Sequence, residues 1–469
     1  MPHLEQAAGA PISAGARARQ VLDALPPGGL FADQHWRISP APFPLEGALA
    51  GELETLGRVL LQFNRAVNLL YRQSASGKQP AWIAAWLDRG KPGALIELQR
   101  AAVFKNDLPR VIRPDLLLTS GGFSITELDS VPGGIGLTAW LNRTYAHPGL
   151  EGPLAPPSPT DAAAPAARGR VIGSARGMFD GFAGIFGDAP RVHIVVSEES
   201  ATYRPEMEWL AAQLDPARFA VRDARFTDFQ ERDGVYRFFE LFDLANVPNA
   251  PAILALAAQK RIRLTPPPRP VFEEKMLLAL LWNRHLRGFW RQELGESFFQ
   301  RLLRHVPYTW VVDPAPLPPH AALPELGLTD WQQLKTLSQK ERDLILKVSG
   351  YSESAWGARS VALGSDLSLP DWCAAVDRAL ESFSSSPYIL QRYDKPRVVT
   401  AAWFDFDRNQ LVEMAGRVRL CPYYFVTGEG DAARAQLGGV LATVCPADKK
   451  IIHGMRDAVL APCAVAHDD

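Results

Sequence analysis

Residues 111–129, Val-Ile-Arg-Pro-Asp-Leu-Leu-Leu-Thr-Ser-Gly-Gly-Phe-Ser-Ile-Thr-Glu-Leu-Asp, constrain this chain more than any other stretch. Two strand-like runs flank a Ser120-Gly121-Gly122 turn, which predicts a β-hairpin over Val111–Thr119 and Phe123–Asp129. Side chains alternate along a strand, so Arg113 and Asp115 share one face, as do Glu127 and Asp129. A three-residue loop with Gly122 in a left-handed conformation pairs Thr119 with Phe123, Asp115 with Glu127, and Arg113 with Asp129. Three carboxylates and a guanidinium then gather on one patch, while Ile112, Leu116, Leu118 and Leu128 turn toward a core.

Such crowding calls for a cation. Hard oxygen donors suit Mg²⁺, whose shell is commonly completed by waters and phosphate oxygens. Arg113 could then meet a phosphate or a developing oxyanion. The same pattern also fits a solvated acidic face with an arginine paired across it. A two-residue Gly121-Gly122 loop would separate Asp115 from Glu127, and Pro114, lacking an N–H, fits best at an edge or a non-hydrogen-bonded position.

Around the hairpin, Leu53, Leu56, Leu60, Phe63 and Val67 recur three or four apart, predicting a helix with one buried face in an N-terminal helical layer. From His147 to Arg168 the chain is rich in Pro, Ala and Gly and reads as a linker or loop. Strand Val192–Ser197, helix Pro205–Leu214 and a return strand at Arg218–Arg222 suggest a small α/β unit. Proline runs at Pro266–Pro268 and Pro314–Pro319 bracket a helical block with Lys275, Leu278, Leu281 and Trp282. A further α/β segment begins with the strand Leu344–Val348 and continues through Val398–Phe404 and Tyr423–Thr427. At 469 residues the chain is long enough for two or three domains or one intertwined unit, and no internal repeat is present.

Several function classes are disfavoured. Fifty Lys plus Arg against fifty-one Asp plus Glu leave a formal net charge of −1, so no global basic field draws nucleic acid. No apolar stretch approaches the roughly 20 residues that cross a bilayer, and the N-terminus lacks the basic and apolar run of a secretory signal, so a cytoplasmic location is expected. The four cysteines are scattered without metal-ligand spacing, and Cys421 and Cys445 have no evident histidine partner. Phosphate-loop, zinc-protease and serine-elbow motifs are missing, and Gly133-Gly134-Ile-Gly136 lacks the complete dinucleotide fingerprint.

Other candidates are weaker taken singly. Lys347 ends an apolar strand, and the Ser349–Ser360 stretch after it could fold over phosphates, with Gly350 and Gly357 allowing close backbone approach. A turn with a chance lysine explains these residues as well. Lys275 could project into a cleft or be solvated in a first helical turn. The strand through Gln391 could offer backbone groups to a nucleobase edge. Arg417 and Arg419 share a strand face and could meet a polyanion or water.

In chain order these segments resemble the circularly permuted ATP-grasp enzymes, in particular the synthetase part of glutathionylspermidine synthases. The most specific match is Arg113-x-Asp115 followed by Glu127-x-Asp129, with Asp129 standing where that family usually has Asn. The resemblance implies an α/β (α+β) ATP-grasp fold, circularly permuted, with N-terminal helices and a small Rossmann-like preATP-grasp unit. It divides the chain into 1–165 (helices, hairpin and linker), 166–269 (small α/β unit) and 270–469 (ATP-binding subdomains). It implies ATP and Mg²⁺ as cofactors, with Asp115, Glu127 and Asp129 on the metal. It places Lys275, Lys347, Ser349, Gly350, Gly357 and Gln391 around the nucleotide. Arg113 and either Arg417 or Arg419 would be catalytic.

The implied activity is ligation of a small-molecule carboxylate to an amine through an acyl phosphate, with Ser197–Glu206 near the acceptor. The alternative is a degenerate member that binds nucleotide without turnover, which the altered Ser349–Ser360 loop and Asp129 motivate. Substrate identity and oligomeric state are not encoded in any motif.

Overall fold

A computed structural model describes residues 12–32, 36–147, 169–318, 321–355, 357, 359–452, 454 and 456–466. Nearly all of the expected linker, residues 148–168, lies outside the described residues. The described residues form three sheets with helices packed around them.

The largest sheet has eight strands. Its main path runs Arg37–Ile38, Val459–Val465, Arg434–Pro446, Gln410–Thr427, Val111–Thr119 and Gly122–Asp129. The 18-residue strand Gln410–Thr427 changes partner along one edge: residues 410–417 pair with Val398–Asp405, and the ladder to Val111–Thr119 begins at Arg419. That ladder joins Leu420 to Leu116 and Tyr424 to Ile112 but lapses between them, where the register sets Pro422 opposite Pro114. Neither proline has an N–H to donate, so the gap follows from the sequence.

The 29-residue helix Gly47–Ala75 lies across this sheet. Leu53, Leu56, Leu60, Phe63 and Val67 are all buried, as their spacing requires. Burial of each is worth about 1.5–3 kcal/mol. Gly57 lets the helix settle onto Tyr424: a Cβ there would lie 2.4 Å from the ring, and the Tyr424 hydroxyl donates to the Leu53 carbonyl at 2.6 Å.

The second sheet is wholly parallel, in the order Phe219–Arg222, Val192–Val196, Gly234–Phe238 and Arg263–Thr265. Val192–Val196 is buried along its whole length, as expected of a strand covered on both faces. The third sheet is antiparallel, in the order Ala362–Leu363, Leu344–Val348, Tyr388–Arg392 and Thr309–Val311. Helix Leu369–Glu381 packs on it through Trp372, Ala375, Val376 and Ala379. No helix among the described residues is long and apolar enough to cross a membrane.

Candidate active site between the sheets

The hairpin forms, but its turn differs from the expected one. Thr119 pairs with Gly122, and Leu118 with Phe123, so the loop is the two residues Ser120 and Gly121, and Gly122 has φ 119°. Unrelieved, that register would put Asp115 and Glu127 out of step. A β-bulge restores it: Leu116 pairs with Ile125 and Asp115 with Glu127, leaving Thr126 as the extra residue. Arg113 then faces Asp129. The bulge also has its own bonds, since the Thr126 hydroxyl donates to the Asp115 carbonyl at 3.1 Å and the Thr126 carbonyl accepts from Lys347 Nζ at 3.2 Å.

This end of the hairpin opens into a cavity of about 220 Å³. Arg113, Asp115, Glu127, Asp129 and Arg419 line it from the large sheet, Lys347 from the antiparallel sheet, Lys275 from the start of helix Met276–Trp282, and Tyr203 from the parallel unit. Ala355, Gly357, Ser360 and Val361 of the segment after Lys347 close another side, with Gly357 at φ 62°. Lys450 adds a fifth cation to the wall.

Each acidic group is already paired. Arg113 Nη2 lies 3.1 Å from Asp115 and 2.9 Å from Asp129, and its Nη1 donates to the Gly133 carbonyl at 3.2 Å. Arg419 reaches the other Asp115 oxygen at 3.3 Å, and the Cys421 thiol donates to Asp115 at 3.5 Å. Lys275 Nζ is 2.8 Å from Glu127 and donates to the Ala355 carbonyl at 3.0 Å, joining the hairpin to the loop. Burial opposes the charge of Arg113 and of Lys275, but the neighbouring carboxylates keep both pKa values above ordinary. Burial raises the Asp129 pKa and pushes Cys421 up to about 12. Among the described residues Lys347 has only neutral partners within hydrogen-bonding distance, and burial lowers its pKa to about 8.

The remaining expected residues fall in different places. Arg419 faces the cavity, whereas Arg417 lines a neighbouring crevice with Lys395 and Asp343 and donates to the Lys449 carbonyl at 3.1 Å. Gln391 is buried rather than at the cavity wall: its amide oxygen accepts from Lys347 at 2.9 Å and its nitrogen donates to Thr309 at 3.0 Å. Ser349 is likewise fully buried. Its hydroxyl donates to Glu274 and accepts from the Met276 N–H at 2.9 Å, and its carbonyl accepts from the Lys275 N–H at 2.8 Å. Glu274 in turn forms a buried ion pair with Lys91. Gly350 lies against the Glu273 carbonyl, which a Cβ would meet at 2.3 Å.

The Ser197–Glu206 segment, expected near the acceptor, supplies two contributors. Tyr203 lines the cavity. Glu206, fully buried, accepts from the Gly134 and Leu137 N–H groups at 2.7 and 2.8 Å, capping helix Ile135–Tyr145 from a distant part of the chain. Burial pushes its pKa up to about 7. A sequence pattern does not reveal a cap supplied by a residue some seventy positions away.

The donor set suits a polyphosphate better than a bare ion. Five cations face three carboxylates in the cavity wall. Among the described residues no three His, Cys, Asp or Glu side chains stand together as a metal cage. Asp115, Glu127 and Asp129 retain hard oxygens beside the cavity, so they fit a divalent cation that arrives with phosphates rather than a free one.

No family model matches the sequence, and no curated protein does. Among solved structures, a glutathione synthetase-like effector, GSS30, from Globodera pallida in its apo form is similar with a TM-score of 0.55 at 11% identity, over 96% of this chain and 97% of that one. A putative gamma-glutamylcysteine synthetase from Methylobacillus flagellatus KT gives a TM-score of 0.39 at 13% identity, over 89% of each chain. The first of these likenesses supports a shared fold over nearly the full length.

Proposed function

We propose that this chain is an ATP- and Mg²⁺-dependent carboxylate–amine ligase of the circularly permuted ATP-grasp type. The carrying observation is the meeting of Lys275, Lys347, Arg113 and Arg419 with Asp115, Glu127 and Asp129 in one cavity between two sheets. The full-length likeness to a glutathione synthetase-like protein supports the fold on which this reading rests.

In this reading the nucleotide phosphates lie among Lys275, Lys347, Ala355, Gly357, Ser360 and Val361. A substrate carboxylate attacks the γ-phosphorus, ADP leaves, and an acyl phosphate forms. Arg113 and Arg419 offset charge on the transferring group, and their planar forks match its oxygens. As the phosphates draw Lys275 and Arg113 away from their carboxylates, Asp115, Glu127 and Asp129 become available to hold Mg²⁺. The metal would supply further neutralisation of phosphate charge. An amine then attacks the acyl carbon, loses a proton and displaces inorganic phosphate, leaving an amide. The loop residues over Lys275 exclude water, which would otherwise hydrolyse the acyl phosphate.

A second reading, nucleotide binding without turnover, draws support from Asp129 and from the likeness to a protein described as an effector. Calorimetry with Mg-ATP, followed by an ADP-release screen over pairs of small carboxylic acids and amines, separates the two. Binding with acid- and amine-dependent ADP release is expected, binding without release for any pair favours the second reading, and no binding by the folded protein overturns both.

A further inference from the structure

A second large crevice, of about 780 Å³, opens between helix Gly47–Ala75, the Phe104–Arg110 segment, the Val426–Ala433 turn and the start of the parallel sheet. Asp188, Arg232 and Arg261 lie a few residues before three of the parallel strands, whereas Tyr203 of the ATP cavity follows the end of Val192–Val196. The two spaces thus lie at opposite ends of strands whose five residues span roughly 15 Å at ~3.3 Å each.

Seven Lys and Arg side chains line the crevice against four carboxylates. Several of the cations are held by neutral groups. Arg65 donates to the Gly430 carbonyl at 2.6 Å, Arg72 to the Lys105 carbonyl at 3.4 Å, and Arg110 to the Gly428 carbonyl, with the exposed Glu429 3.8 Å away. Carbonyls fix a guanidinium's direction without cancelling its charge. On the far side Arg263 and Arg232 share the exposed carboxylate of Asp188, at 3.7 and 2.8 Å, and Arg263 lies 4.0 Å from Glu429.

An independent observation lies behind the Phe104–Asp107 wall. Arg269 is fully buried, and its Nη1 donates to the Phe104 and Asp107 carbonyls at 3.3 and 3.5 Å. Its Nε and Nη2 have no hydrogen-bond partner among the described residues. Burial lowers its pKa to about 10, against the opposing pull of Tyr71 and the Asp107 carboxylate. Glu231, which pairs with Arg261 at 3.0 Å from outside the wall, balances the charge that Arg269 adds, so the excess remains three. An anion in the crevice would offset that excess.

We propose that this crevice is a second ligand site, which takes a small polyanion bearing two or more phosphate or carboxylate groups. Its concave shape and the chain's net charge of −1 favour a small anion over a nucleic acid. The site stands apart from the ATP reading, because none of its lining residues lines the other cavity.

The test is calorimetric titration with inorganic tripolyphosphate and, separately, citrate. The titrations use the wild type, Arg65→Gln/Arg263→Gln for the crevice, and Lys275→Met for the ATP cavity. A binding event that persists in Lys275→Met, weakens about tenfold or more in the double variant and declines with added salt is expected. Tripolyphosphate alone would mark a phosphate site, and binding of both anions a general polyanion site. Should the double variant fail to fold, Arg232→Gln/Lys260→Gln, at positions more than half exposed, replaces it. Absence of binding in Lys275→Met, binding unchanged by both crevice variants, or tighter binding of a short RNA at the same site would each overturn the proposal.

Discussion

Replacing Glu127 by Gln separates a carboxylate that serves a metal from one that merely restrains a lysine. In the ligand-free protein Glu127 holds Lys275 at 2.8 Å. A phosphate oxygen on the same ammonium would sit roughly 5 Å from the carboxylate. At an effective dielectric of 20–40 the repulsion is about 1.5–3 kcal/mol. The Glu127 side chain is 34% exposed, so the lower end applies, which corresponds to about a tenfold change in affinity. Without divalent metal, Glu127→Gln is therefore expected to bind ATP about tenfold more tightly than the wild type, because a negative charge has left the phosphate cradle. With Mg²⁺ the order reverses and the variant binds at least tenfold more weakly, because a ligand oxygen has lost its charge. Paired calorimetric titrations in EDTA and in magnesium read both arms. A shift in the same direction in both media would refute the reasoning, since it would mean that Glu127 acts on the nucleotide through one effect only.

Two further predictions rest on burial. Lys347, with a pKa of about 8 against an ordinary 10.5, is charged below pH 8 and loses its charge above it, so ATP affinity should hold from pH 6.5 to 7.5 and fall through pH 8–9. The folded Lys347→Met variant should bind more weakly and lack that decline; a wild-type profile flat to pH 9 would count against the assignment. Glu206 has a folded pKa of about 7 against 4.5 in the unfolded chain, so its contribution to stability is most favourable below pH 4.5, declines from pH 4.5 to 7 and is level above. The span is on the order of 3 kcal/mol, and urea unfolding at pH 5 and 7.5 should show Glu206→Gln losing most of it.

Local pattern carried some parts of this structure and not others. The Gly47–Ala75 helix was legible because its apolar stripe must be buried whatever covers it. The three-residue turn that the sequence suggests is one residue longer than the real one, and the bulge at Thr126 cancels that difference in the Asp115–Glu127 pairing. Alternation puts Arg417 and Arg419 on the same strand face and so could not choose between them. What separates them is the change of neighbouring strand, from Val398–Asp405 at Arg417 to Val111–Thr119 at Arg419, a fact of topology. The resemblance places Gln391 and Ser349 at the nucleotide, yet their side chains point to Lys347, Thr309, Glu274 and Met276, partners far away in sequence. Chemistry at a strand's end is visible locally, whereas a side chain's destination depends on what the rest of the chain brings to it.

Pro114 and Pro422, facing each other where the ladder lapses, place a break in the cross-strand bonding of the large sheet beside the candidate site. Asp115 and Cys421 flank that seam, so the walls can part slightly there without severing a continuous run of cross-strand bonds. The sheet therefore offers local compliance beside the candidate site. Neither proline carries an exchangeable amide, so hydrogen–deuterium exchange cannot read motion at those two positions, and isotope labels on the Cys421 or Arg419 side chains would be needed to follow it.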